Sequence, residues 1–345
     1  MSAATSKFTS DQQKKIRTVY RRLHSPEFKE TYESVEKWKE ENDAVEKAIP
    51  TTMVAKEMEK PRDTFMLVRG EYDKKGDKVG PGVPAVLPPW PSDQPTNRLG
   101  FARWLLQPDH PLTARVTVNR YWQQYFGTGL VKTTEDFGVQ GDNPSHPELL
   151  DWLATEFVRM GWDVKRMQKL IVMSATYRQS SKLTPQLLGR DPENRLLARG
   201  PRFRVDAEAV RDTALFISGL LVEHIGGKGV KPYQPSGLWE AVSFNNSQKY
   251  VPDTGEGQHR RSLYTYWKRQ SPPPSMMIFD APTREYCVVK RPRTNTPLQA
   301  LALMNDPQIV DASRAFAQRT LTEGGKDAEA RVAFAFRLAT GRKIS

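Results

Sequence analysis

Hydrophobic and polar positions divide this chain into two parts that meet near Asn97. In the first part, residues 10–47 have few apolar side chains, and Glu and Lys alternate between them at spacings that form i,i+4 pairs on a helix. This pattern predicts one or two charged helices, with Ser10 or Ser25 as an N-cap. Because the apolar stripe is thin, residues 1–60 are predicted to be a helical arm that docks on something larger.

Residues 61–96 are predicted to link this arm to the rest of the chain. They begin with RDTFMLVRG, residues 62–70, whose apolar and β-branched residues predict a short strand. The tract that follows is rich in Asp, Gly and Pro, which disfavour regular structure. Its end, residues 83–95, is expected to be extended and to lie along another surface.

Helical spacing of apolar residues starts at residue 97, and residues 97–345 are predicted to be the main domain, which we expect to continue beyond the last residue. A first helix is predicted from Leu99 to the proline at 108, and a second from Leu112 to Phe126. The second helix has a broad apolar face and is predicted to be the central packing helix. The side chains predicted to lie in its core are Trp122, Tyr125 and Phe126.

The second helix also has a polar stripe, formed by Arg115, Asn119 and Gln123 at i, i+4 and i+8. Together with Arg120, these residues are candidates for ligand binding. Two aspartates in the loop after this helix, Asp136 and Asp142, are candidate acid–base groups, because loops beside rigid helices often position catalytic side chains. The alternative is that each aspartate stabilises its own turn.

Capping residues predict the later helices. Ser145 to Glu148 has the form of a capping box and predicts a helix that ends at Gly161. Asp163 and Asp206 are predicted to cap two further helices, and the second is expected to end at Gly226. Three last helices are predicted to begin at Thr296-Pro297, at Asp306-Pro307 and near Asp327.

Alternating aromatic and polar residues in SLYTYW, residues 262–267, predict a strand among these helices. The predicted fold class is therefore mainly α: an irregular multi-helix domain with long loops and a few short β-strands, preceded by the N-terminal helical arm.

Charge is distributed unevenly along the 345 residues, whose formal net charge is +12. Up to Asn97 the chain has 17 Lys and Arg against 16 Asp and Glu, and beyond it 35 against 24. Attraction to anionic partners is therefore expected in the main domain. No apolar run of 18 residues predicts a membrane span, and the first residues do not have the apolar core of a signal peptide.

Cysteine and histidine content limits the chemistry. Cys287 is the only cysteine, which excludes an intrachain disulfide, a CxxCH haem attachment and a cysteine-rich zinc site; we interpret it as a small buried residue. The five histidines do not have the spacing of metal ligands, so no metal site is predicted. His146 and His259 are candidate catalytic residues, although helix capping is the simpler role for His146.

The segment 258–293 has eight Lys and Arg against two acidic residues, with aromatic residues between them. This pattern suits single-stranded nucleic acid and equally suits anionic sugars, which stack on rings and pair with guanidinium groups. The alternative is that these arginines bind loop carbonyls and helix carboxylates inside the domain. The candidate binding residues in this basic tract are Arg260, Arg261, Tyr266 and Trp267.

Eight sequence blocks, in this order, resemble one known family. They are RLGFARWLLQPDHPLTARVTVNRYWQQYFGTGLVKTTEDFG, SHPELLDWLATEFVRMGWDVK, SATYRQSS, DPENRLLARGPRFRVDAE, KPYQPSGLWE, RRSLYTYWKR, PPPSMMIFDAPTRE and RTNTPLQAL. Over roughly residues 50–345 the chain is similar to the planctomycete-specific C-terminal domain of unknown function. That domain occurs in large secreted proteins of Planctomycetes and related bacteria.

This resemblance implies a periplasmic, cell-surface or secreted protein. It also implies upstream domains that include a c-type cytochrome, so haem c is expected there and no cofactor on this chain. It suggests binding or processing of an anionic polysaccharide. A non-enzymatic scaffold that positions the upstream domains, and nucleic-acid binding through residues 258–293, are the alternatives, the last being the weakest. The resemblance assigns no catalytic residues.

Overall fold

The computed structural model describes residues 8–344, which fall into two compact units that separate after Gly82. The first unit contains two helices and a two-stranded antiparallel sheet in which Thr64 pairs with Val79. Its elements are α1 (Ser10–His24), α2 (Pro26–Ala48), β1 (Thr64–Leu67) and β2 (Lys75–Val79). No residue of α1 or α2 is buried, as expected for an arm with few apolar positions.

Local capping explains where the two arm helices begin. The side chain of Thr9 accepts a hydrogen bond from the Gln12 backbone, so Thr9 rather than Ser10 caps α1. Ser25 caps α2 as predicted. The strand β2 was not predicted, because all five of its residues are exposed and its sequence, KGDKV, has no period-two pattern of apolar residues.

The second unit starts at Val83 and contains twelve helices within the described chain. The longer ones are α3 (Arg98–Leu105), α4 (Thr113–Phe126), α5 (Pro147–Arg159), α6 (Val164–Met173), α9 (Ala207–Ser218), α12 (Pro297–Asn305), α13 (Pro307–Glu323) and α14 (Ala328–Thr340). The shorter ones are α7 (Ala175–Arg178), α8 (Pro185–Arg190), α10 (Leu238–Ala241) and α11 (Pro274–Ile278). The predicted fold class, mainly α with few short strands, is confirmed.

The proline-rich segment before α3 packs on that helix, as expected. The indole nitrogen of Trp104 donates a hydrogen bond of 2.8 Å to the Pro88 carbonyl. Gly100 is required here, because a Cβ at this position would lie 2.0 Å from the Pro95 carbonyl oxygen. The absent side chain therefore lets the segment lie directly against the helix.

The main core lies between α4, α5 and α6. Trp122 and Phe126 are buried on α4, and their rings stack with centroids 4.1 Å apart. The prediction that α4 is the central packing helix is therefore confirmed for these two residues, while Tyr125 is partly buried beside them. A smaller cluster joins α9 and α11 through Ala207, Met276, Phe279 and Ala281.

Two predicted elements are wrong. The helix predicted to reach Gly226 ends at Ser218, because Gly219 adopts a left-handed conformation and the next two backbone N–H groups turn back to the Leu215 carbonyl. The predicted strand 262–267 is a short 3₁₀ helix followed by a single bridge from Thr265 to Val230. Its first residue is tied to α9 instead of to a neighbouring strand.

Two local predictions are also wrong. The N-cap of α5 is His146, which makes no side-chain capping bond, whereas Ser145 uses its backbone N–H to bind the Leu130 carbonyl. The predicted capping box therefore does not form. Cys287 is exposed rather than buried.

Candidate functional site

Buried side chains on the polar stripe of α4 hold the loop that follows the helix. Asn119 has no solvent exposure, donates a 3.1 Å hydrogen bond to the Val131 carbonyl and accepts one of 2.9 Å from the Val131 N–H. Gln123 is buried and accepts from the Thr134 hydroxyl at 2.6 Å. Because these two amides face the protein interior, they do not form the ligand-facing stripe that we predicted.

The other two candidates on α4 remain at the surface. Arg115 donates to the Asp151 carboxylate at 2.6 Å and to the Pro111 carbonyl at 2.6 Å, so it joins α4 to α5 and to the turn before α4. Arg120 is exposed.

Asp136 and Asp142 meet at one hydroxyl group. Thr133 donates to the Asp136 carbonyl and accepts from the Asp142 backbone N–H, each at 2.8 Å. The Asp136 carboxylate accepts from the Gly138 N–H at 2.7 Å, which is the geometry of an Asx turn. For Asp136 this matches the alternative interpretation, in which the side chain stabilises its own turn, whereas Asp142 takes part through its backbone N–H.

The two candidate histidines lie in different surroundings. His146 precedes α5, and its Nδ1 is 3.0 Å from the Ser145 hydroxyl. His259 is half-buried, and its Nε2 is 3.5 Å from the Asp311 carboxylate on α13. No contact in the described residues joins His259 to Asp136, Asp142 or His146, so the four candidate catalytic residues do not form one constellation there.

Arginines of the basic tract are largely used inside the domain. Arg260 is buried, donates to the carbonyls of Lys228 and His224 at 2.9 and 3.0 Å, and stacks on the Tyr264 ring. Arg261 is exposed and approaches the Asp212 carboxylate at 3.5 Å. Trp267 is partly buried and packs against the cluster of α9 and α11.

Two further arginines of this tract confirm the internal role. Arg291 donates to both carboxylate oxygens of Glu208 at 2.6 and 3.2 Å. Burial, the largest single influence, raises the pKa of Glu208, but the hydrogen bonds from Arg291 and the backbone and the charges of Arg291 and Arg284 together outweigh it, so the pKa lies below its ordinary value. Arg293 donates to the Gly127 carbonyl at 3.0 Å. The pattern of basic and aromatic residues here therefore reflects loop packing to a large extent.

Arg211 is a buried connection between three segments. Its guanidinium donates to the Gln308 side chain at 2.7 Å and to the carbonyls of Arg260 and Gln258 at 2.8 and 2.5 Å. Burial lowers its pKa, while the charge of Asp212 acts in the opposite direction. This one side chain fixes the loop of His259 and Arg260 against α9 and α13.

A cluster of aromatic rings and lysines lies beside this loop. We call the residues Lys231, Trp239, Tyr250, Tyr266 and Lys268 the Trp239 cluster. The Tyr250 and Tyr266 ring centroids are 5.2 and 5.8 Å from that of Trp239. The ammonium groups of Lys231 and Lys268 are 5.3 and 4.6 Å from the same indole centroid.

Backbone pairing builds this cluster from distant segments. Val230 accepts a hydrogen bond from the Tyr266 N–H at 2.7 Å and donates one to the Tyr264 carbonyl at 2.8 Å, which places Lys231 beside Tyr266. Sequence reasoning found only Tyr266 of the cluster. Lys231, Trp239 and Tyr250 lie in an aperiodic stretch, which has no pattern that would single them out.

The two ammonium groups of the Trp239 cluster form no ion pair within the described residues, although the Asp253 carboxylate lies nearby and accepts a 2.8 Å hydrogen bond from the Lys231 backbone N–H. Among residues 8–344, neither Lys231 nor Lys268 has a carboxylate oxygen within 4.0 Å, and Lys268 instead donates to the Gln248 side chain at 2.7 Å. Tyr266 is 48% exposed next to them. The arrangement therefore places two cations and one accessible aromatic ring around the buried Trp239 indole.

Because of Tyr250, the stability of this cluster falls at alkaline pH. Its hydroxyl donates to the Pro232 carbonyl, and burial, assisted by the negative charge of Asp253, raises its pKa from 10.0 to about 12. Because the folded protein holds this proton more tightly than the unfolded chain, the stabilisation is complete below pH 10 and is lost as the pH rises towards 12.

We therefore expect the stability of the wild-type protein to fall more steeply above pH 10 than that of Tyr250→Phe, which cannot ionise. Denaturant unfolding of both proteins, at pH values on either side of the ordinary tyrosine pKa, measures the difference. Parallel pH dependences would show that Tyr250 ionises normally. Tyr72, which is 87% exposed, provides the control substitution Tyr72→Phe.

Within residues 8–344, no three His, Cys, Asp or Glu side chains come together as a metal site. No helix in that range has the length and hydrophobicity to cross a membrane.

Comparison with known families identifies the second unit. A family model described as "Protein of unknown function (DUF1553)", PSD1, matches residues 97–345, which is more than half of the chain. The chain belongs to this family. The DUF1553 match includes α3 to α14 and the whole Trp239 cluster. Neither the curated proteins nor the solved structures that were compared contain a match.

Proposed function

We propose that this DUF1553 domain is an extracytoplasmic module that binds an anionic polysaccharide at the Trp239 cluster. The observation behind this proposal is that the ammonium groups of Lys231 and Lys268 lie over one indole ring and, within the described residues, form no ion pair. Sulfate and carboxylate groups on sugars are the complementary ligands, since charge-assisted hydrogen bonds to ammonium groups are about twice as strong as neutral ones.

The geometry also suits a sugar chain. The ammonium groups lie 5.3 and 4.6 Å from the Trp239 centroid, so an anionic group bound beside the ring would be attracted by both charges. The exposed ring of Tyr266 offers an apolar face, on which the C–H face of a sugar can pack. A polymer with repeated negative groups would contact the cations and the ring together.

This proposal includes the setting implied by the family resemblance. In the longer proteins that the chain resembles, a c-type cytochrome domain lies upstream. Binding of a polysaccharide by this domain would keep the polymer close to that redox domain, and any chemistry would then be supplied by the upstream domain. The dispersed positions of Asp136, His146 and His259 support a binding role for the present domain rather than catalysis.

The test is the affinity of the full chain for sulfated and uronic polysaccharides at low and moderate salt, measured by calorimetry. The double variant Lys231→Gln/Lys268→Gln is expected to bind at least about tenfold more weakly, since each lost charge-assisted contact contributes on the order of 1 kcal/mol. The matched control is Lys165→Gln/Lys169→Gln, which removes the same charge from exposed positions on α6.

Three outcomes decide the proposal. A large loss in the first variant and a small one in the control support it. Equal losses would indicate attraction by net charge alone, and failure of the wild-type protein to bind would end the proposal. Lys231→Arg/Lys268→Arg retains both charges and the contacts to the ring, so its binding separates loss of charge from loss of structure.

A non-enzymatic scaffold is the second candidate function. The observation that favours it is that Asn119, Gln123 and Arg211 are buried and bind backbone or side chains of the same domain. These polar groups fix loops in place, as a domain that positions its neighbours requires. Substitution of Asp136 or His259 would then change stability and leave binding by the folded protein unchanged.

A further inference from the structure

The arm helix α2 has an exposed stripe with the spacing of a coiled coil. Apolar or small polar residues recur along it at intervals of three and four, which is the a/d pattern of a heptad repeat. We call these residues the heptad stripe: Val35, Trp38, Asn42, Val45 and Ile49, of which Ile49 is the C-cap residue directly after the last helical residue, Ala48. We propose that the heptad stripe is a self-association surface, on which α2 of a second copy of this chain packs in antiparallel orientation.

Exposure shows that the stripe is unpartnered in the single chain. Trp38 is 70% exposed, Val45 63% and Val35 46%. The helix α1 does not cover it, because α1 lies across a groove from Glu36 and Glu40. Glu36 and Glu40 lie two positions before and after Trp38, and two positions along an α-helix correspond to a rotation of about 200° around its axis. The heptad stripe therefore faces away from α1.

An apolar stripe by itself could pack against many apolar surfaces. The charged residues on either side of it favour one partner, a second α2. In the antiparallel pairing that places Trp38 opposite Ile49 of the second copy, Lys39 lies opposite Glu46 of that copy, and the same contact forms twice. In a parallel pairing Glu41 would face Glu46 of the second copy, and like charges at such flanking positions repel. The charges of α2 therefore complement those of another α2 in the antiparallel orientation.

Asn42 occupies the middle of the stripe. In the antiparallel pairing it lies opposite Val45 of the second copy, so the two Asn42 residues lie next to each other across the two-fold axis. A polar residue at a core position favours arrangements that give it a polar neighbour, and here each Asn42 amide is the neighbour of the other. In the single chain, Lys39 donates to Glu36 and Asn42 to Glu46, which are exposed contacts that exchange at little cost.

The stripe spans two heptads, and in this register only residues 39–48 of the two helices overlap, which is short for a coiled coil. We therefore expect a weak, concentration-dependent dimer of the full chain. Sedimentation equilibrium over a wide concentration range measures its dissociation constant. Val45→Glu places a charge in the stripe and is expected to raise that constant by at least about tenfold. Ala44→Glu adds the same charge one residue away, outside the stripe, and is the matched control.

Because Val45 is exposed, its replacement leaves the fold of the single chain intact, and circular dichroism checks this. A wild-type chain that remains monomeric at the highest concentration would overturn the proposal, as would equal effects of the two glutamate variants.

Charge exchange tests the orientation. Glu46→Lys brings two lysines together in the antiparallel dimer and weakens it, whereas it would strengthen a parallel dimer by removing the repulsion from Glu41. Adding Lys39→Glu to Glu46→Lys restores the antiparallel pair with its charges reversed. Strengthening by Glu46→Lys alone would overturn the antiparallel arrangement.

Discussion

Replacement of Arg211 by methionine is expected to lower the free energy of unfolding by about 3–5 kcal/mol. Methionine fills much of the same space but donates no hydrogen bonds. The carbonyls of Gln258 and Arg260 and the side chain of Gln308 would lose their donor, and the first two lie in a partly buried loop. Each buried acceptor without a partner costs about 1–3 kcal/mol.

Chemical denaturation of Arg211→Met measures this loss. The neighbouring Arg261 offers a matched control, because its side chain is 55% exposed and makes one ionic contact of 3.5 Å. Arg261→Met is expected to cost no more than about 1 kcal/mol, as is usual for exposed ion pairs. Similar losses in both variants would show that the internal hydrogen bonds of Arg211 do not stabilise the domain.

Arg211 also connects stability with the proposed binding surface. The loop that it fixes leads through Ser262 into the segment of Tyr266, and the Ser262 N–H binds the Asp212 carboxylate at 2.7 Å. Loosening of this loop would release the backbone pairing of Val230 that brings Lys231 beside Tyr266. In the folded fraction of Arg211→Met, we therefore expect weaker polysaccharide binding although the residue contacts no ligand.

Local rules predicted the helices well. Asp163 caps α6, Thr296-Pro297 opens α12 with a capping box, and Asp306-Pro307 opens α13. In each case the signal and the structure lie within a few residues, so the sequence contains all the required information.

Two of the errors, the capping box at Ser145 and the strand at 262–267, arose where a backbone group binds a distant partner. The N–H of Ser145 binds the Leu130 carbonyl, and that of Ser262 binds the carboxylate of Asp212. Either contact outweighs the local preference for a capping box or a strand. Contacts between residues so far apart in the sequence leave no local pattern. Secondary-structure propensity and hydrophobic periodicity therefore could not predict them.

Candidate site residues show the same limit. The i,i+4 spacing correctly places Asn119 and Gln123 on one face of α4, but it does not tell whether that face meets solvent or a returning loop. Cations among aromatic residues likewise do not distinguish a ligand surface from loop packing, as Arg260 on Tyr264 illustrates. The Trp239 cluster required the three-dimensional structure, because its members are contributed by separate loops.

Asn119→Ala is the second substitution with a large expected effect, a loss of about 2–5 kcal/mol in the free energy of unfolding. The alanine would leave both the N–H and the carbonyl of Val131 without partners in a site that has no solvent exposure. The substitution would also leave a cavity beside Gly129. The Asn119 amide packs so closely on this glycine that a Cβ added to Gly129 would lie 2.6 Å from the amide nitrogen.

Two measurements separate this loop-holding role of Asn119 from the ligand contact that its sequence position suggested. Denaturant unfolding should show the large loss for Asn119→Ala and a change within about 0.5 kcal/mol for Gln124→Ala, an exposed amide on the same helix. Polysaccharide affinity per folded molecule should be the same in both variants, because the buried amide cannot reach a ligand. If Asn119→Ala lowers the polysaccharide affinity but retains its stability, then Asn119 contacts the ligand. The loop that covers this face of α4 would then have to move away in solution.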